Sequence, residues 1–167
     1  MTKTIFITTG MGTSGKDTLA TLINRYMPVY KCSIINPIKE VAKTLGWKGD
    51  KTEKDRKFLS DLKDIVTPYN DFLFKKIESL VESFKGDVIE KPIMIIDLRD
   101  AGEIERAKRE FNATAIFIER PNSVKITGNH ADKNVKEYGG YDCTIENNGS
   151  LDDLEWVAQN IVSCVLQ

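Results

Sequence analysis

One histidine and three cysteines stand in 167 residues, and neither charge is in surplus: 24 Lys and Arg face 25 Asp and Glu, a formal net charge of −1. The balanced charge argues against the broad basic footprint of a nucleic-acid binder. With His130 alone, and Cys32, Cys143 and Cys164 far apart, a Cys/His metal centre is not expected. The odd, widely spaced thiols fall in apolar patterns and are expected to be buried and unpaired, as in a reducing cytoplasm. No apolar run approaches the roughly 20 residues of a membrane span. The chain opens at once with a strand-like pattern, which argues against a signal peptide. Repeats, low-complexity tracts and interdomain linkers are missing too. A single cytoplasmic domain over 1–167 is therefore the expectation, long enough to close a sizeable core.

What is present alternates between strand and helix. Lys3 to Thr9 reads as a buried strand, and residues 15–27 as a helix with Leu19, Leu22, Ile23 and Tyr26 at helical spacing, closed by Pro28. Val29 to Ile35 reads as a second strand. Asn36-Pro37 then looks like an N-cap with proline at the first helical position, opening a short helix that Gly46 stops. Thr52 and Asp55 form a capping-box pattern ahead of Phe58, Leu59, Leu62, Ile65 and Val66, with a break or kink expected at Thr67-Pro68. A further helix carries Leu73, Ile77, Leu80, Val81 and Phe84. Residues 37–84 are thus a helical insert between strands two and three, and long insertions of this kind often carry function.

Pro92 to Asp97 reads as the third strand, ending in an acid, and Asp100 with Glu103 opens the next helix. Ala113 to Ile118 is the fourth strand, residues 120–140 a polar, mobile loop, and Tyr141 to Ile145 the fifth strand. Ser150 and Asp153 cap a last helix whose Leu151, Leu154, Val157, Ala158, Ile161, Val162 and Val165 are expected to face inward. Strands apolar on both faces and separated by helices imply a parallel sheet covered on both sides. The expected fold is α/β, a three-layer α/β/α domain with five parallel strands.

The most informative stretch is Gly10-Met11-Gly12-Thr13-Ser14-Gly15-Lys16-Asp17-Thr18. It lies between a strand and a helix in the GxxxxGK frame of a phosphate-binding loop. Small residues let backbone N–H groups turn toward phosphate oxygens, and the helix start adds partial positive charge. Lys16 would reach the terminal phosphates of a nucleotide. The hydroxyl residue that normally follows the lysine is replaced by Asp17, with Thr18 next. Either could serve magnesium, since a carboxylate is also a hard oxygen ligand. The loop, Asn36, Asp97, Arg120 and Asn147 all follow strand ends, where ligands of parallel sheets sit.

Ser14-Gly15-Lys16-Asp17-Thr18 resembles the loop of deoxynucleoside monophosphate kinases and animal-type phosphomevalonate kinases, both of the P-loop nucleoside monophosphate kinase-like group. Lys54 to Leu59 is similar to a helix start in the bacterial and phage branch of that group. Asp97-Leu98-Arg99 with Glu103 resembles its Asp-x-Arg segment, and Ile145 to Leu151 its last strand and final helix start. The resemblance implies a P-loop NTPase fold, ATP as phosphoryl donor and Mg2+ as cofactor. It implies Gly10, Gly12, Thr13, Ser14, Gly15, Lys16, Asp17 and Thr18 as the donor-phosphate site, Asn147 and Gly149 beside the donor base, and Asp17 and Asp97 as magnesium-side acids. Lys39, Arg56 and Arg99 would hold a phosphorylated acceptor, with Lys57 a lesser candidate. Lys16, Arg99 and Arg120 would act on the transferring group.

By the same resemblance residues 120–140 form the lid, with Lys125, His130 and Lys133 also available to it. Lids of such kinases offer several arginines, whereas Arg120 is the one arginine of this segment. The expected reaction is ATP-dependent phosphoryl transfer to a small (deoxy)nucleoside monophosphate by a monomer or homodimer, without nucleic-acid or membrane partners. A kinase for another small phosphorylated metabolite, of phosphomevalonate or dephospho-coenzyme-A type, and a non-catalytic nucleotide-binding module are the alternatives.

Overall fold

The computed structural model describes residues 3–121 and 135–167. Its strands are β1 (Thr4–Thr9), β2 (Val29–Ser33), β3 (Ile93–Asp97), β4 (Thr114–Glu119) and β5 (Cys143–Glu146), and they form one sheet in the order β2-β3-β1-β4-β5. Every pairing is parallel. The helices are α1 (Lys16–Tyr26), α2 (Asn36–Thr44), α3 (Glu53–Asn70), α4 (Phe72–Lys85), α5 (Ala101–Phe111) and α6 (Leu151–Val165). The expected five-stranded parallel sheet is therefore the observed one.

Strand alternation divides the core in two. Ile5, Ile7, Met94 and Ile96 pack with Leu73, Phe74, Ile77 and Phe84 of α4 and with Ile104 and Ala107 of α5. Phe6, Ile93, Ile95 and Ile116 face the other way, onto Leu19, Leu22 and Ile23 of α1 and Leu154, Ala158 and Val162 of α6. Two buried faces explain why the central strands read as continuous apolar runs. Both capping boxes form, Thr52 with Asp55 and Ser150 with Asp153.

Several expectations are corrected. Among the cysteines only Cys32 is buried; Cys143 and Cys164 are exposed, because β5 is an edge strand and Cys164 lies on the outer face of α6. Burial pushes the Cys32 thiol up to about 12, with the nearby Asp97 charge adding to the effect. Leu151 is 55% exposed, since only Leu154, Ala158 and Val162 of α6 are fully covered. No residue of α3 is fully buried, and Ile65 is 73% exposed. Proline does not break α3 at Thr67-Pro68. The helix runs on to Asn70 and stops at Asp71, whose φ of 57° is left-handed. Pro68 sits in the last turn, so little helix remains beyond it to disrupt, and Thr67 Oγ1 donates to Lys63 O at 2.8 Å. Asn36 is the first helical residue of α2 rather than its cap, and Ile35 precedes it in a helical conformation. Among the described residues no helix is long and apolar enough to cross a membrane.

The β5 edge is anchored by Asp142, which precedes it. Asp142 Oδ2 accepts the Ala115 N–H at 2.7 Å, and Oδ1 pairs with Lys108 Nζ at 2.9 Å. Desolvation raises this carboxyl, but Lys108 and the Ala115 amide outweigh it and hold it below the usual aspartate range. Stability from such a group is present above the unfolded pKa and is lost as pH falls through the folded one. Asp142→Asn should therefore destabilise the protein at neutral pH, with a deficit that persists down to about pH 4 and closes below it. Urea denaturation at stepped pH reads this directly, and a deficit growing on acidification would contradict the linkage.

Candidate nucleotide site

β1 lies in the middle of the sheet, hydrogen-bonded on both sides, and the chain leaves it at Gly10. Gly10 has φ 150°, and a side chain there would collide with the carbonyl of Ile118 in β4 and with Ser14 Oγ. Gly15 has φ 101°, and a side chain there would collide with the Asn147 amide. Both positions thus need glycine for space as well as for backbone conformation. The Lys16 ammonium folds back over the loop, donating to Gly10 O at 2.8 Å, Met11 O at 2.9 Å and Ser14 Oγ at 3.4 Å. Thr13 Oγ1 donates to Gly12 O at 2.5 Å, and Ser14 is buried.

Among the described residues no side chain caps the N-terminus of α1, so its first-turn amides keep their capacity to bind an anion. A cavity of about 340 Å³ opens beside them, lined by the stretch from Thr13 to Thr18 together with Arg120, Asn147 and Gly149. Its size falls within the range of small-ligand pockets. Asn147 also braces the loop. Its Nδ2 donates to Ser14 O at 2.9 Å, and its backbone N–H donates to Glu119 O at 2.7 Å. The turn after β5 therefore holds the back of the loop. A second cavity, of about 460 Å³, continues from Asn147 and Gly149 toward Trp156.

The acids beyond the loop are organised by a residue that neither motif nor periodicity singles out. Lys31, in β2, forms an ion pair with Asp17 and stands 3.3 Å from Asp97 Oδ2. Asp97 Oδ1 accepts from Thr8 Oγ1 at 2.5 Å. Register explains the meeting. Thr8 pairs with Asp97 and Lys31 with Ile95, so all three polar side chains lie on the sheet face covered by α1. The Lys31 hydrogen bond lowers the Asp17 pKa against a smaller opposing effect of burial. Burial disfavours the Lys31 ammonium, but its bonds to Asp17 and the charge of Asp97 prevail and raise its pKa. A lysine set between Tyr30 and Cys32 in a strand is the signal that could have found it.

Asp17, Asp97 and Thr18 offer the hard oxygen donors that magnesium prefers. The carboxylates already bracket a positive charge, which is the arrangement a divalent cation beside phosphates requires. Among the described residues no group of three or more His, Cys, Asp or Glu could hold a metal by itself. Water or the oxygens of a bound ligand would have to complete the shell.

The other expected residues lie elsewhere. Lys39 is half-buried near the start of α2, and Arg99 is half-buried just after β3. Arg56 is exposed and its Nε donates to Lys51 O at 3.1 Å, so it turns back on the start of its own helix. Lys57 forms a surface pair with Asp61 at 2.8 Å. Lys39, Arg56 and Arg99 are not among the residues around the loop-side cavity. Lys125, His130 and Lys133 lie outside the described residues, as does most of the 120–140 segment. Glu103, read from sequence as part of a helix start and of the Asp-x-Arg resemblance, pairs with Lys63 of α3 at 2.8 Å, and its buried Oε2 has no hydrogen-bond partner among the described residues. Burial raises its pKa, partly offset by Lys63.

A five-stranded parallel sheet with helices on both faces and a Gly10–Lys16 loop between β1 and α1 defines the fold of P-loop kinases. The chain is similar along nearly its whole length to the shikimate kinase of Aquifex aeolicus, at 16% identity and a TM-score of 0.51, covering 97% of this chain and 98% of that one. A sugar kinase from Janibacter is similar at 12% identity and TM-score 0.51, with 96% and 95% covered. The shikimate kinase of Acinetobacter baumannii, solved with shikimate, is similar at 12% identity and TM-score 0.50, with 99% and 94% covered. No protein-family model and no curated protein sequence matches the chain. At these identities the likeness establishes the fold.

The Asn147 tie gives a test. Asn147→Ala leaves the Ser14 carbonyl without its partner and should cost about 1–3 kcal/mol. Hydrogen–deuterium exchange should quicken over residues 10–18 while β3 stays protected. Unchanged protection in the loop would contradict this role.

Proposed function

We propose that the protein transfers the γ-phosphoryl group of ATP to a small phosphorylated acceptor, a (deoxy)nucleoside monophosphate. The observation that carries the reading is the glycine-dependent loop at the end of β1, with Lys16 folded over it and Asp17 and Asp97 facing one cation beside it. Phosphoryl transfer asks little covalent chemistry of a protein. It asks that two anions be held in line and their charge be neutralised.

In this reading the amides of residues 12–18 and Lys16 hold the donor phosphates, and Arg120, beside the cavity, meets the transferring group. Asp17, Asp97 and Thr18 hold magnesium, which when bound offsets charge on the phosphate oxygens. Arg99, Lys39 and Arg56 serve the acceptor, and the attacking phosphate oxygen is already anionic, so no general base is needed. Asn147 and Gly149 border the donor base.

The nucleoside monophosphate acceptor rests on the resemblance of Asp17-Thr18 and Asp97-Leu98-Arg99 to that kinase group. A second reading, a kinase for a different small metabolite, is favoured by the engagement of Arg56 with Lys51 O and of Lys57 with Asp61. Those pairings leave the insert with fewer cations turned toward an acceptor phosphate. The shikimate and sugar kinases among the similar structures support the same alternative.

A coupled ADP-release assay against a panel of nucleoside monophosphates and other small metabolites separates the two. Turnover with one monophosphate supports the first, and turnover only with another metabolite supports the second. Tight ATP binding without any turnover would reject both in favour of a nucleotide-binding module. With the active acceptor, Lys16→Ala should lower kcat about a hundredfold or more with an unchanged circular dichroism spectrum. Retained turnover would remove Lys16 from the donor site.

A further inference from the structure

Lys31 occupies an unusual place for a lysine. Val29 and Cys32 in β2 are buried while Lys31 itself is exposed, and its ammonium lies between carboxylates from two other elements, Asp17 on α1 and Asp97 on β3. Asp97 is further fixed by Thr8 through its second oxygen. Two carboxylates this close to one point repel each other unless a cation lies between them. Here the chain supplies that cation itself.

We propose that Lys31 is a tethered cation that keeps free divalent metal out of the Asp17–Asp97 pair and gives up the pair only when magnesium arrives with a nucleotide. The inference rests on reading Asp17 and Asp97 as the metal-side acids of a nucleotide site. Magnesium dehydrates reluctantly. Arriving alone, it would also have to displace the Lys31 ammonium from both carboxylates and leave it to water alone. Arriving with a nucleotide, it brings phosphate oxygens that can accept the displaced ammonium, so every charge stays paired. Metal and nucleotide binding are then linked, each strengthening the other by the same factor. Lys31 is thus a positioning residue that decides which form of metal the site accepts.

The test is Mn2+ binding, read as loss of the free-ion signal in electron paramagnetic resonance. Nucleotide-free wild type should show no Mn2+ site tighter than millimolar. Lys31→Met keeps the length of the stem and removes the charge. It should gain one site at least about tenfold tighter, and Asp97→Asn added to it should abolish that site. Lys31→Arg, which keeps the charge, should exclude Mn2+ as the wild type does, and this separates the charge from any packing disturbance. Adding ATP to the wild type should bring Mn2+ to the protein, read as water-proton relaxation enhanced above that of Mn–ATP without protein, because ATP by itself already removes the free-ion signal. Equal Mn2+ affinity in wild type and Lys31→Met, with ATP still bound by both, would overturn the proposal alone. Failure of the wild type to bind ATP, with or without Mn2+, would overturn the nucleotide reading beneath it as well.

Discussion

The arrangement of the whole carboxyl edge depends on how β1 ends. This strand is paired on both sides, to β3 and β4, and its residues are buried on both faces. The chain can leave it only through backbone lying close against β4, which Gly10 permits because the Ile118 carbonyl occupies the space of a side chain. Five residues later Gly15 makes the same concession to Asn147. Between those contacts the loop has little freedom, and α1 starts with its amides pointed at the space enclosed. The proposed anion site follows from sheet topology and two missing side chains.

Charge organises the rest. Lys16 turns to loop carbonyls, Lys31 to Asp17 and Asp97, and Asn147 to Ser14 O, so these polar groups around the loop find their partners inside the protein. The site is held together by contacts that phosphate and metal could replace one for one. The proposed donor side is accordingly well braced. On the proposed acceptor side, α3 has no fully buried residue, and Arg56 and Lys57 engage neighbours on or beside their own helix. A helix attached so lightly to the core has less to fix its orientation than α1, and low local burial is the physical signature of elements that move.

Much of the architecture was legible in the sequence because it depends on local chemistry. The loop spacing, the Thr52–Asp55 and Ser150–Asp153 boxes and the doubly apolar strands each encode their structure within a few residues. What escaped depends on neighbours distant along the chain. Lys31 meets Asp97 because parallel register sets β2 beside β3, which periodicity alone does not disclose. Cys143 and Cys164 looked buried because they sit in apolar patterns, but an edge strand and an outer helix face leave them exposed. Arg56 was legible as a cation near an insert, yet its direction is set by a backbone carbonyl five residues away. Pro68 fails to break α3 because it falls in the final turn, where little helix remains beyond it to disrupt.

Whether the Gly10–Lys16 loop binds the phosphates of a nucleotide is tested most directly by equilibrium titration of the wild-type protein with ATP, ADP, AMP and adenosine. Affinity should climb with phosphate number, ATP binding at least about tenfold tighter than AMP and adenosine weakest. Equal affinity for ATP and adenosine, or no binding of either, would contradict a phosphate-binding loop.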